Sequence, residues 1–169
     1  KPHAFTWLVW AILIGIAFFG QIFEGGGPGA WVTGFTAIVS IVIFFVAFKM
    51  GEKEITFSDK LSLVGAGFAL ILWYITHNPL ASILLIILID ALGFYPTFRK
   101  SYHKPHEETM STYFLGGLKF AISILALQQY SLVTYLYPAY LVFINIGLVI
   151  YLIIRRKEKK KIWLADHGF

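Results

Sequence analysis

The stretch from Leu80 to Tyr113 reads LASILLIILIDALGFYPTFRKSYHKPHEETMSTY, and it decides the fold. Its first part, Leu80 to Phe98, is an apolar run of membrane-spanning length holding one acid, Asp90. A basic connector with Arg99, Lys100 and Lys104 follows, and a second apolar run, Ser111 to Leu127, then begins. Outward from there, four more such runs cover Phe5 to Phe23, Ala30 to Phe48, Leu61 to His77 and Leu132 to Ile154. Each is about long enough to span a bilayer once tilt is allowed.

Composition supports that reading. Of 169 residues, 58% are hydrophobic, 18% aromatic and only 14% charged, with a mean hydropathy of +0.74. A water-soluble domain of this length cannot hide so much apolar surface. The chain has no Cys, which removes thiolate nucleophiles, zinc-thiolate sites and iron-sulfur clusters. Three connectors, Gln21 to Gly29, His77 to Pro79 and Gln128 to Ser131, lack Lys and Arg, whereas Lys49 to Lys60, Phe98 to Met110 and the tail from Arg155 are basic. Of the 14 Lys and Arg, all but Lys119 fall on one side of a six-span chain. The positive-inside rule puts that side, and both chain ends, in the cytoplasm. The net charge of +5 therefore reports topology, with no nucleic acid expected as partner.

The chain also carries an internal repeat. Lys104-Pro105-His106 leads into Thr112-Tyr113 and a span, as Lys1-Pro2-His3 leads into Thr6-Trp7 and a span. In the second copy a span ending Gly93-Phe94-Tyr95-Pro96-Thr97-Phe98-Arg99-Lys100 precedes the motif; in the first copy only the two following spans are present. The expectation is an all-α integral membrane protein with six transmembrane helices, read as a seven-helix, three-plus-one-plus-three fold lacking its first helix. Residues 1–49 form the first repeat with two of its three helices, 50–79 a loop and linker helix, 80–154 the second repeat, and 155–169 a basic cytoplasmic tail. An odd linker makes the two units run parallel.

Tyr95-Pro96-Thr97-Phe98-Arg99-Lys100 and Lys104 to Thr112, in this architecture, resemble the SWEET and SemiSWEET sugar transporters and the wider PQ-loop superfamily. Where that family usually shows Pro-Gln, this chain has Pro96-Thr97. Nicotinamide-riboside carriers are similar in span count. The resemblance implies a transporter whose solute binds between the two units, and it places Asn145 where these carriers present an amide to substrate hydroxyls. Ser40 is its rough counterpart in the first repeat.

The residues themselves nominate a site. Asp90 and Lys119 are ionisable groups well inside spans, each costing on the order of 3 kcal/mol at the bilayer centre. Asp90 lies nine residues from Arg99, and Lys119 eight from Ser111, so both sit roughly 12–13 Å from the basic side. Matched depth predicts a buried pair, with Asn145 roughly 15 Å deep nearby. Ser82, Ile86, Asp90, Gly93 and Thr97 share one helical face, as do Thr112, Gly116, Lys119 and Ser123, and as do Thr33, Thr36 and Ser40. The expected substrate-binding set is Asp90, Lys119, Asn145, Trp10, Ser40 and Thr112. The alternative for the polar trio is interhelical glue, and for Trp10 core or interface packing. Pro96 and Pro138 each free a backbone carbonyl and are expected as hinges or as plain kinks.

No catalytic residue, metal ligand or cofactor is expected. His103, His106, Glu107 and Glu108 lack a further ligand run, Gly25 to Gly29 reads as a tight external turn, and no Ser-His-Asp order or paired carboxylates appear in the spans. The function expected is a facilitator or proton-coupled carrier for a small polar solute, such as a sugar or nucleoside-like molecule. The alternatives are a ligand-binding or sorting receptor of the same fold and a structural subunit of a membrane complex. Anionic lipid headgroups are the expected partner of the basic tail, with homo-oligomerisation left open.

Overall fold

A computed structural model describes residues 4–50 and 57–166. The first copy of the Lys-Pro-His motif, at positions 1–3, lies outside the described residues. Those residues form six helices and no strand: α1 (Ala4–Phe23), α2 (Pro28–Met50), α3 (Phe57–Thr76), α4 (Pro79–His103), α5 (Met110–Leu125) and α6 (Leu132–Asp166). Four of them, α1, α2, α4 and α6, are long and apolar enough to cross a membrane. The apolar parts of α3 and α5 are shorter, at residues 63–76 and 110–125.

Local chemistry sets the boundaries. Gly25 and Gly27 take left-handed φ values of 73° and 61°, which turn the chain out of α1, and Pro28 then opens α2 where a missing N–H costs nothing. Asn78 caps α4, its Oδ1 accepting from Leu80 N at 3.0 Å, again with Pro at the first helical position. Ser131 and Thr134 cap α6 reciprocally, each backbone N–H donating to the other's hydroxyl at 2.9 and 3.3 Å. α6 continues well past Ile154 because Arg155 to Lys161 are good helix formers and Arg155 pairs with Glu158 one turn on.

Helices α1 and α2, α3 and α4, and α5 and α6 form three antiparallel hairpins. α1 is the central element, touching α3, α4 and α6 as well as α2; α4 packs on α6, and α2 on α5. α4 and α5, although consecutive, make no comparable contact, because α6 lies between them. Exchanging α1 with α5 and α2 with α6 maps the α1–α2 contact onto α5–α6 and the α1–α6 contact onto α2–α5. The main core joins Leu13, Ile16 and Ala17 of α1 to Ile83, Ile86 and Ile89 of α4 and to Tyr137 and Leu141 of α6. Outward faces carry large apolar side chains, among them Phe35, Ile38, Phe45, Leu88 and Phe143, as expected where the surrounding solvent is hydrocarbon.

Candidate functional site

Lys119 projects from α5 toward α2, where its Nζ donates to Thr36 Oγ1 at 3.0 Å and lies 4.5 Å from the Phe120 ring centroid. The Thr36 hydroxyl in turn donates to Val32 O at 2.7 Å, and the buried Ser40 hydroxyl donates to Thr36 O at 2.9 Å. Thr36 is therefore held in place by its own helix and presents its remaining lone pair to the lysine. An ammonium has three donors, and one acceptor is accounted for. Asn145 sits beside the same helix: a Cβ on Gly116, one turn from Lys119, would lie 2.9 Å from Asn145 Oδ1. Its amide nitrogen donates to Leu141 O at 2.8 Å, which turns the oxygen toward α5. Of the residues nominated from sequence, Lys119 and Ser40 are thus linked through Thr36 across the α2–α5 contact, and Asn145 packs from α6 against the same α5 helix at Gly116.

Asp90 stands apart from them. The matched-depth pair does not form, because α6 separates α4 from α5 and the carboxyl faces α6. Its neighbours are the hydroxyls of Tyr137 and Tyr140. The Tyr140 hydroxyl approaches the carboxyl, and Asp90 Oδ2, Tyr137 OH and Tyr140 OH have no partner at full hydrogen-bond geometry. Asp90 is 4% exposed and Tyr137 0%, so water does not supply the missing bonds in bulk. Three buried oxygens short of hydrogen-bond partners in one place are costly.

The other nominated residues separate from both clusters. Trp10 stacks on Phe94 at 6.3 Å between centroids and meets Trp7 edge-on at 5.2 Å, which puts it one turn beyond Asp90 in aromatic packing. Thr112 is exposed in the first turn of α5, about two turns from Lys119. α4 runs through position 96 without a break, and the Pro96 side chain lies outside the described residues. Pro138 is fully buried inside α6. Lacking an N–H, it leaves Thr134 O without its helical donor, and Gln21 of α1 fills the vacancy, Nε2 donating to that carbonyl at 2.7 Å.

That bond belongs to a set closing the end of the molecule that lacks Lys and Arg. Gln128 N donates to Gly26 O at 3.2 Å, Gly29 N to Ala126 O at 3.0 Å, and the Ser123 hydroxyl to Gly29 O at 3.0 Å. The contacts are reciprocal, since α5 donates to the start of α2 and α1 donates to the start of α6. At the basic end the ion pairs among the described residues instead stay inside one unit. Glu108 receives Lys100 of α4 at 2.8 Å and the Tyr113 hydroxyl of α5 at 2.7 Å, while Arg156 of α6 donates to Pro105 O and Glu108 O at 2.9 and 2.7 Å. Arg155, stacked 3.8 Å over Tyr102, donates to that residue's carbonyl. The first two basic residues of the tail thus hold the loop, and Lys157, Lys159 and Lys160 are the exposed ones.

Tyr137, Tyr140 and Gln21 were not nominated as site residues. The signal for the tyrosines is their hydroxyls, which need partners inside a span; for Gln21 it is a buried amide on a helix with no other strongly polar side chain. Compared with known protein families, with curated proteins and with solved structures, the chain matches none.

Proposed function

We propose that the chain is a six-span integral membrane carrier for a small polar solute, with its basic loops and tail in the cytoplasm and two repeat-related units, α1–α2 and α4–α6, joined by α3 as linker. The observation that carries this reading is the Lys119 to Thr36 contact. It is polar, lies midway along α5, joins α5 to α2, and has Ser40 one turn along α2, while Asn145 of α6 packs against α5 at Gly116. Carriers built from internal repeats place their solutes at such an interface. The exchange of α1 with α5 and α2 with α6, which maps one set of contacts onto the other, supports a repeat with two-fold pseudosymmetry. In this reading Lys119 and Asn145 hold the solute, Thr36 and Ser40 orient the lysine, and the bonded turns at the end lacking Lys and Arg are a closed gate. Pro138 with Gln21 is the element that must rearrange when that gate opens. The SWEET-like and PQ-loop resemblance fits the same arrangement and remains part of the proposal.

The test is solute entry into vesicles reconstituted with the full chain, using labelled glucose, uridine, alanine and succinate. Saturable uptake of one class, reduced at least tenfold by Lys119→Met, is the expected result. Equal leak of all four solutes with and without protein would reject the carrier and favour a receptor or a structural subunit.

A further inference from the structure

We infer that the solute is a small carboxylate-bearing anion gripped by Lys119, and that Asp90 carries a proton which crosses with it. This rests on the carrier reading and concerns the same site. It follows from the failure of two opposite charges at equal depth to pair.

Among the described residues Lys119 has no anionic partner. Neither α5 nor α2 contains a carboxylate, and α6 has none before Glu158, far along at the basic end. Thr36, its partner, is a neutral hydroxyl. An ammonium desolvated against Phe120 with a single neutral acceptor is an incomplete site, and what completes it best is a carboxylate accepting its remaining donors. A sugar hydroxyl would satisfy those donors without compensating the charge. Asn145 adds an amide on the adjoining helix for the rest of the solute.

Asp90 is the complementary case. The groups facing it from α6 are Tyr137 and Tyr140; α1 contributes no ionisable residue; and α3 offers only Asp59 and Lys60 in its first turn and Tyr74 near its far end, with Lys60 and Tyr74 exposed. No cation is therefore placed to hold a carboxylate there. Ionised and buried with no cation beside it, Asp90 is expensive even with tyrosine hydroxyls at hand to donate to it, whereas a protonated Asp90 is neutral and has an O–H of its own to donate to a tyrosine oxygen. One monocarboxylate on Lys119 and one proton on Asp90 add no net charge to the moving protein. Released on the far side, the pair leaves both groups as they began.

The experiment compares the monocarboxylates gluconate and lactate with the neutral solutes glucose and uridine, in vesicles of neutral phosphatidylcholine bearing the full chain, with acid outside. Protein-free vesicles give the background. The expected result is accumulation of a carboxylate above its outside concentration, with matching acidification inside. Lys119→Met should weaken carboxylate affinity by roughly 30-fold or more, and Lys119→Arg should retain the preference for gluconate over glucose, which separates lost charge from a misfolded Met variant. Asp90→Asn should reduce accumulation to the outside concentration. If glucose or uridine accumulates and gluconate does not, the anion inference is wrong while the carrier stands. If a carboxylate crosses but an acid gradient never concentrates it, the role of Asp90 is wrong. If no probe crosses, the carrier reading fails with it.

Discussion

The two ends of the bundle are tied by different chemistry. At the end lacking Lys and Arg, the α1–α2 and α5–α6 turns are joined by backbone bonds between Gly26 and Gln128 and between Gly29 and Ala126, reinforced by Ser123 and Gln21. At the basic end, Glu108 gathers Lys100, Tyr113 and the loop held by Arg156, all within α4 to α6. One set of contacts connects the two units and the other stiffens one of them. In the proposed carrier such a molecule is closed between its units at one end, and the described ion pairs at the other end would stay intact if the units moved apart.

The sharpest way to break this contrast is Gly29→Ala. A Cβ there would run into Ser123 O and stand 2.8 Å from Leu127 N, both on backbone that has nowhere to go. The turns should be forced apart at a cost of about 3 kcal/mol, seen as a large drop in the apparent melting temperature of the detergent-solubilised protein. Gln21→Leu comes next. It strips the only side-chain donor from the carbonyl that Pro138 leaves free, which should cost about 2 kcal/mol. Because Pro138→Ala restores a helical N–H for Thr134 O, the double variant should be less destabilised than the two single losses summed; strict additivity in that cycle would show the bond to be incidental. At the basic end the effects should be smaller. Glu108→Gln removes the charge shared by Lys100 and weakens the Tyr113 bond, costing about 1 kcal/mol, and the loss should shrink in high salt. Lys104→Ala breaks only an exposed pair with Glu107 at 3.1 Å, so its melting curve should overlay the native one to within about 0.5 kcal/mol.

Much of the fold was legible because membrane helices must be apolar over a length the bilayer dictates. The run Leu80 to Phe98 lies within α4, and Phe5 to Phe23 coincides with α1 to one residue. The overshoot of α6 beyond Ile154 was not legible from hydropathy, since Arg155 to Lys161 are helical for reasons of propensity and side-chain pairing. In the site, the stripe Thr33, Thr36 and Ser40 was visible from spacing alone, and one of its members meets Lys119. The neighbours of Asp90 were not visible. Depth can be counted along a helix, but which helices are neighbours depends on packing, and α6 intervenes between α4 and α5. Tyr137 and Tyr140 fall among the hydrophobic residues of the run, and although a hydroxyl inside a span needs a partner, only the packing shows that Asp90 is the group beside them. That Pro138 frees a carbonyl follows from its sequence position; that Gln21, more than a hundred residues away, satisfies it follows only from the hairpins' docking.

The measurement that tests the account most directly uses the absence of cysteine from the native chain. Spin labels at Glu24→Cys and Tyr130→Cys, one on each turn of the closed end, report the distance between the two units in vesicles. The account predicts one short distance without solute and a second, longer population when a transported solute is added. A single short distance under every solute and pH condition would contradict it, and would make the bonded turns a permanent brace.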